Sequence, residues 1–156
     1  MLASLVSSIN RLKINSRIRE LVSSIENHNY NKFQTLLVRL LNESDFLESS
    51  HTLLKIAATE QNDLVFLETL LSSGLNPNQS DEDGIYPLHF AVESGNINAV
   101  KLLIWKGADP NCADNRGITP IHIANSYDGL GDISDFLLSA GADPNLRDNL
   151  GKRYLM

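Results

Sequence analysis

The side chains able to do chemistry in this chain are few and far apart. Its 156 residues include four histidines (His28, His51, His89 and His122), one cysteine (Cys112) and 19 carboxylates. A zinc site needs three or four nitrogen, sulfur or oxygen ligands converging on one point, and Cys-x-x-Cys or His-Glu-x-x-His spacing is a common way to bring them together. Neither pattern occurs. Cys112 would need a neighbouring base to act as a nucleophile, and the sequence around it indicates none. No Gly-rich phosphate loop and no Gly-x-Ser-x-Gly elbow is present. The carboxylates are scattered, as on a solvated face, and form no general acid and base pair. The expectation is a non-enzymatic chain that uses no cofactor and no metal.

The spacing of the histidines leads to the elements that hold them. His89 lies in Gly84-Ile85-Tyr86-Pro87-Leu88-His89-Phe90-Ala91, and 33 residues later the segment returns as Gly117-Ile118-Thr119-Pro120-Ile121-His122-Ile123-Ala124. Leu102-Leu103 returns as Leu137-Leu138, and Gly107-Ala108-Asp109-Pro110-Asn111 returns 34 residues on as Gly141-Ala142-Asp143-Pro144-Asn145. A period of this length marks a repeat array, in which the two histidines fall in separate layers. Pro87 and Pro120 suit the first turn of a helix, where a missing N–H leaves no gap. Thr119 is a suitable N-cap. Ala91 and Ala124 are small where an inner helix meets its neighbours, and the leucine pairs supply bulk on an outer helix. Gly74, Gly107 and Gly141 stand just past helix ends, where a left-handed residue caps free carbonyls.

These residues resemble the ankyrin repeat: a turn glycine, Thr-Pro-Leu-His, small residues, a Val-x-x-Leu-Leu helix and Gly-Ala-Asp-x-Asn. The match is closest over residues 81–145 and looser over 47–80. The resemblance implies an all-α solenoid of stacked helix-turn-helix units with short β-hairpin loops. It gives His89 and His122 a structural role, their ring nitrogens bonding loop backbone between repeats. It also implies a protein partner bound by the hairpin tips and the concave face of the inner helices. Carried onto this chain, the tip positions are Asp81, Glu82, Asp83 and Ile85; Asn115, Arg116 and Ile118; and Asn149, Leu150 and Lys152. The inner-helix positions are Glu93, Ser94, Asn125, Ser126 and Tyr127.

The expected organisation is one domain. Residues 1–15 form an N-terminal capping helix through Leu2, Leu5, Val6, Ile9 and Leu12, with a basic targeting helix as the other reading of that stretch. A degenerate repeat at 16–46 follows, with Ile18, Leu21, Val22 and Ile25 on one helix and Phe33, Leu36, Leu37, Leu40 and Leu41 on the next. Repeats then occupy 47–80, 81–113 and 114–147, and 148–156 opens a partial terminal repeat that either ends on its hairpin or continues in a longer protein. Lys55 replaces histidine in the 47–80 unit, so an irregular junction is expected there. Two glycines loosen the turn before a short outer helix at 133–139, which Asp132 caps.

Charge gives the partner a sign. The net charge is −6, which argues against nucleic acid, whose partners carry a basic face. Residues 1–44 hold three more bases than acids, and residue 45 onward nine more acids than bases. Asp81, Glu82, Asp83, Asp114 and Asp148 lie along the hairpin row, so the expected partner is a protein with a basic surface. No apolar run is long enough for a membrane span. A single cysteine excludes an internal disulfide and fits a reducing compartment. The expectation is a cytoplasmic monomer serving as scaffold, adaptor or inhibitor, with a nuclear or host-cytosolic location as variants. The alternative is the targeting domain of a larger enzyme or secreted effector whose catalytic part lies elsewhere.

Overall fold

The computed structural model describes residues 16–41, 50–60 and 64–153. Helical residues 16–26 (α1) bury Ile18, Leu21 and Ile25 on one face. The chain turns at Asn27-His28-Asn29, with His28 left-handed at φ 51°. Asn29 then starts α2 (Tyr30–Leu40) by accepting the Lys32 amide at 3.1 Å. Three helix pairs follow: α3 (Ser50–Thr59) with α4 (Val65–Ser72), α5 (Pro87–Glu93) with α6 (Ile97–Trp105), and α7 (Pro120–Ser126) with α8 (Gly131–Ser139). Within each pair the helices pack on each other, and α3, α5 and α7 pack in succession as an inner row. No strand occurs among the described residues, apart from one isolated antiparallel bridge between Arg147 and Arg153. The architecture is the all-α repeat solenoid that the resemblance implies.

Helices of 7 to 11 residues are too short to persist alone in water, so stacking must supply their stability. Leu53, Leu54, Leu88, Val92 and Ile121 are fully buried along the inner row, with Ala57, Ala58, Ala91 and Ala124 where helices approach closely. Phe66, Leu67, Leu70, Val100, Leu103 and Leu137 fill the same core from the outer helices. Each large aliphatic side chain so buried contributes about 1.5–3 kcal/mol.

Polar stitches fix the register between layers. Asn96 starts α6 by accepting the Ala99 amide at 3.1 Å, and its amide reaches back to the carbonyls of Ala58 and Glu60 at 3.2 and 2.8 Å. On the opposite loops, Asn78 donates to the Gly107 carbonyl and accepts the Asp109 amide, both at 2.8 Å. Asn111 repeats the pair with Gly141 at 3.0 Å and Asp143 at 2.7 Å. The junction of α2 with α4 is different in kind. Phe33 and Phe66 meet edge to face at 5.0 Å, Tyr30 packs on Phe66 at 5.9 Å, and one hydroxyl contact joins Tyr30 to Thr69 at 3.2 Å.

Two local readings need correction. Helix α8 begins at Gly131, with Leu130 at its N-cap and no side-chain cap, so Asp132 lies inside the first turn. There its charge favours the positive end of the helix dipole without capping it. The helix is also not short: its 9 residues equal those of α6. The expected capping helix at 1–15 and the tail at 154–156 lie outside the described residues.

Gly107 (φ 92°) has open space where a Cβ would go, whereas at Gly84 (φ 76°) a Cβ would lie 2.6 Å from the Asn115 side-chain oxygen and 2.9 Å from its amide. Gly107→Val therefore carries only the backbone cost of a left-handed β-branched residue, about 2 kcal/mol. Gly84→Ala adds a collision with the next turn and costs more. Urea unfolding midpoints of the two variants check this order.

Candidate partner-binding groove

Three turns along one edge of the array are each built on an aspartate. Asp81 Oδ1 accepts the amides of Asp83 and Ile85 at 3.1 and 2.9 Å. Asp114 Oδ1 accepts those of Arg116 and Ile118, both at 2.8 Å. Asp148 Oδ1 accepts those of Leu150 and Lys152 at 2.9 and 2.7 Å. The aspartate amides close the turns onto the carbonyls of Ile85, Ile118 and Lys152 at 3.1, 2.9 and 2.9 Å. The turns also stack. Asn115 reaches the carbonyls of Asp83 and Glu82, and Asn149 reaches those of Arg116 and Asn115, through backbone and side-chain amides respectively.

The buried histidines join this edge to the inner helices. His89 Nδ1 accepts the Tyr86 amide at 3.1 Å, which leaves Nε2 to donate to the Ile118 carbonyl of the next turn at 2.9 Å. That is the inter-repeat role the resemblance implies. Burial lowers the His89 pKa, against the opposing pull of the Ile118 carbonyl. His122 Nδ1 accepts the Thr119 amide at 3.2 Å and lies 2.7 Å from the Thr119 hydroxyl, so the N-cap of α7 and the third residue of that helix are joined as a capping box. Lys55, in the histidine position one layer earlier, reaches the next turn by charge: its ammonium is 3.4 Å from the Asp81 carboxylate and 3.8 Å from the centre of the Phe90 ring. Cys112 is buried beside His89, and burial together with the Asp109 charge pushes its thiol up to about 12. Both effects favour the neutral thiol over the thiolate.

Between the turn row and helices α5 and α7 lies a recess of about 240 Å³. Six of the residues chosen from sequence line it: Ile85, Glu93, Arg116, Ile118, Ser126 and Tyr127. The isoleucines are half-buried and Tyr127 is 53% exposed, so apolar surface faces out beside one acid and one base. Arg116 is clamped by two nitrogens on Asp114 Oδ2, each at 2.9 Å. Burial raises the Asp114 pKa, but the Ile118 amide and the Arg116 contacts outweigh it and hold the carboxyl below its usual value.

The other chosen residues fall elsewhere. Asn125, Leu150 and Lys152 border a second recess past α7, which shares Ile118, His122 and Ser126 with the first. Glu82 and Asp83 are exposed on their turn. Ser94 ends α5, its hydroxyl 3.1 Å from the Ala91 carbonyl. Asp81, Asn115 and Asn149 direct their polar atoms into the turns themselves. Sequence reasoning missed Ile123 in the first recess and Arg147 and Arg153 in the second. It also passed over Trp105, 75% exposed at the end of α6, although its position off the Val100–Leu103 stripe was a readable signal.

Residues 24–148 match the family model described as ankyrin repeats (3 copies). The chain belongs to the ankyrin-repeat family. A Fowlpox virus (strain NVSL) protein, FPV223, itself named for ankyrin repeats, is 48% identical over 44 residues, which are 28% of this chain and 31% of that protein. Ankyrin repeats are in general protein–protein interaction modules and are typically non-catalytic. Among the described residues of this ankyrin array no three His, Cys, Asp or Glu side chains gather as metal ligands, and no helix is long and apolar enough to cross a membrane.

Folded His89 binds its proton less readily than the unfolded chain does, so the stability it lends is complete above the ordinary imidazole value of 6.5 and falls as pH drops through that value. His89→Gln should flatten the slope, as read from urea midpoints between pH 7.5 and 5. Asp114 acts lower: its depressed pKa gives stability that is present above 3.8 and lost as pH falls through the folded value. Asp114→Ala removes an ionised acceptor of two amides and should cost about 2–3 kcal/mol. Asp114→Asn keeps an acceptor oxygen and should cost less than half as much in the same unfolding assay.

Proposed function

We propose that the chain is a non-enzymatic recognition module, acting as scaffold, adaptor or inhibitor, that holds a partner protein in the groove between its turns and inner helices. The observation that carries this reading is the convergence of Ile85, Ile118 and Tyr127 on one recess with Glu93 and Arg116 at its margin. Apolar surface framed by charges on a rigid support is the composition of an interface core. The turn amides behind it are already bonded, so the groove offers side chains and not open backbone edges.

The charge argument for a basic partner becomes more specific. Asp81, Asp114 and Asp148 organise their own turns and Asp114 is neutralised by Arg116, so the acids that meet a partner are Glu82, Asp83 and Glu93, all exposed. A monomer working in the cytoplasm is part of this reading, and the viral relative fits a protein that acts in a host cytosol.

Affinity capture from native cells tests the surface. Proteins retained by the wild type should be lost, with about tenfold weaker binding, from an Ile85→Asp, Tyr127→Ala variant of unchanged circular dichroism, and kept by Trp105→Ala on the outer helix. The reverse pattern would move the interface to the outer helices. Glu82→Lys with Asp83→Lys should slow association and weaken its dependence on salt; association rates that stay the same would remove the basic partner from the proposal.

A further inference from the structure

The second recess, of about 810 Å³, lies past α7 against the turn at 147–153. Its chemistry departs from the rest of an acidic chain: Arg147, Lys152 and Arg153 all border it. By the repeat, Lys152 and Arg153 occupy the places of Ile118 and Thr119, the groove isoleucine and the helix cap of the layer before. Arg147 donates to the Gly151 carbonyl at 2.8 Å, and none of the three cations makes an ion pair among the described residues. The carboxylate at hand, Asp148, accepts the amides of its own turn.

A second observation comes from beneath. His122 is buried and borders this recess, yet its Nε2 has no hydrogen-bond partner among the described residues. Because Nδ1 accepts the Thr119 amide, Nε2 carries the proton and requires an acceptor. One layer earlier the same atom of His89 finds the Ile118 carbonyl. The corresponding carbonyl, of Lys152, accepts the Asp148 amide at 2.9 Å just as the Ile118 carbonyl accepts that of Asp114, but it does not also meet the imidazole. A buried donor without an acceptor is unfavourable.

We propose that this recess docks an acidic polypeptide segment, its carboxylates pairing with Arg147, Lys152 and Arg153 above the buried His122 imidazole and its apolar residues covering Leu150, which is 81% exposed. Charge complementarity selects this occupant over an apolar one. An apolar helix would leave the displaced cations unpaired against it, which is strongly unfavourable. The site adjoins the groove along Ile118, His122 and Ser126, but Arg147, Lys152 and Arg153 border this recess alone, and Ile85 and Tyr127 border the groove alone.

The test uses the full chain and a fluorescein-labelled decapeptide of alternating glutamate and leucine, followed by anisotropy and by the ¹⁵N shift of the His122 imidazole. Saturable binding that moves the Nε2 resonance, weakens at least tenfold in Lys152→Glu, Arg153→Glu with unchanged circular dichroism, and weakens at least tenfold for the glutamine counterpart of the peptide supports the site. Self-association of the wild type that this double variant abolishes would also support it, with the acidic turn row of a second copy as occupant. Absence of saturable binding, undiminished binding by the double variant, or equal affinity for the glutamine peptide overturns it, the last by showing a face that reads apolar surface alone. Displacement of the peptide by equimolar inorganic phosphate overturns it too, by reducing the site to a simple anion hole. None of these results bears on the groove variants.

Discussion

A helix of two turns cannot hold itself together in water, and that constraint governs this molecule. Each of α5 and α7 has 7 residues, so each is stable only as a layer between neighbours. Hydrophobic burial supplies the bulk of the energy, but apolar contact alone would let layers slip. Register comes from directional bonds that leave one unit and end on the next: His89 to the Ile118 carbonyl, Asn78 and Asn111 to the loops beyond them, Asn96 back to the end of α3.

The same economy shapes the recognition edge. A turn that must present side chains to a partner cannot also leave its amides seeking acceptors. Asp81, Asp114 and Asp148 satisfy two amides each from a single oxygen. Presentation and support are thus assigned to different residues of one turn, with the aspartate inward and Ile85, Ile118 or Lys152 toward the groove and the recess beyond it.

Much of this was legible in the chain because the period aligns equivalent residues. Pro87, Pro120, Gly107 and His89 each took the place their chemistry requires, whereas His122 bonds Thr119 of its own repeat and no carbonyl of the next turn; Ile85, Glu93, Ile118 and Tyr127 reached a common recess. What stayed hidden was the direction in which a polar side chain turns. Asp114 reads as surface charge in sequence, yet it is 8% exposed and bonded to its own turn. Asn115 reads as a contact residue, yet its amide links neighbouring tips. Asp132 fits a cap by type, but the helix starts one residue before it. These outcomes depend on angles within single turns, which residue type leaves open.

The aromatic seam between α2 and α4 differs from every stitched junction after it. Phe33, Phe66 and Tyr30 interlock by shape, and the Tyr30 hydroxyl meets that of Thr69 across the seam. Shape complementarity accepts any set of side chains of equal volume, whereas a stitch accepts only the donor and acceptor that complete it. A unit joined in this way can keep its place on the array through any side chains that fill the same volume, and residues 16–41 hold theirs through three interlocked rings.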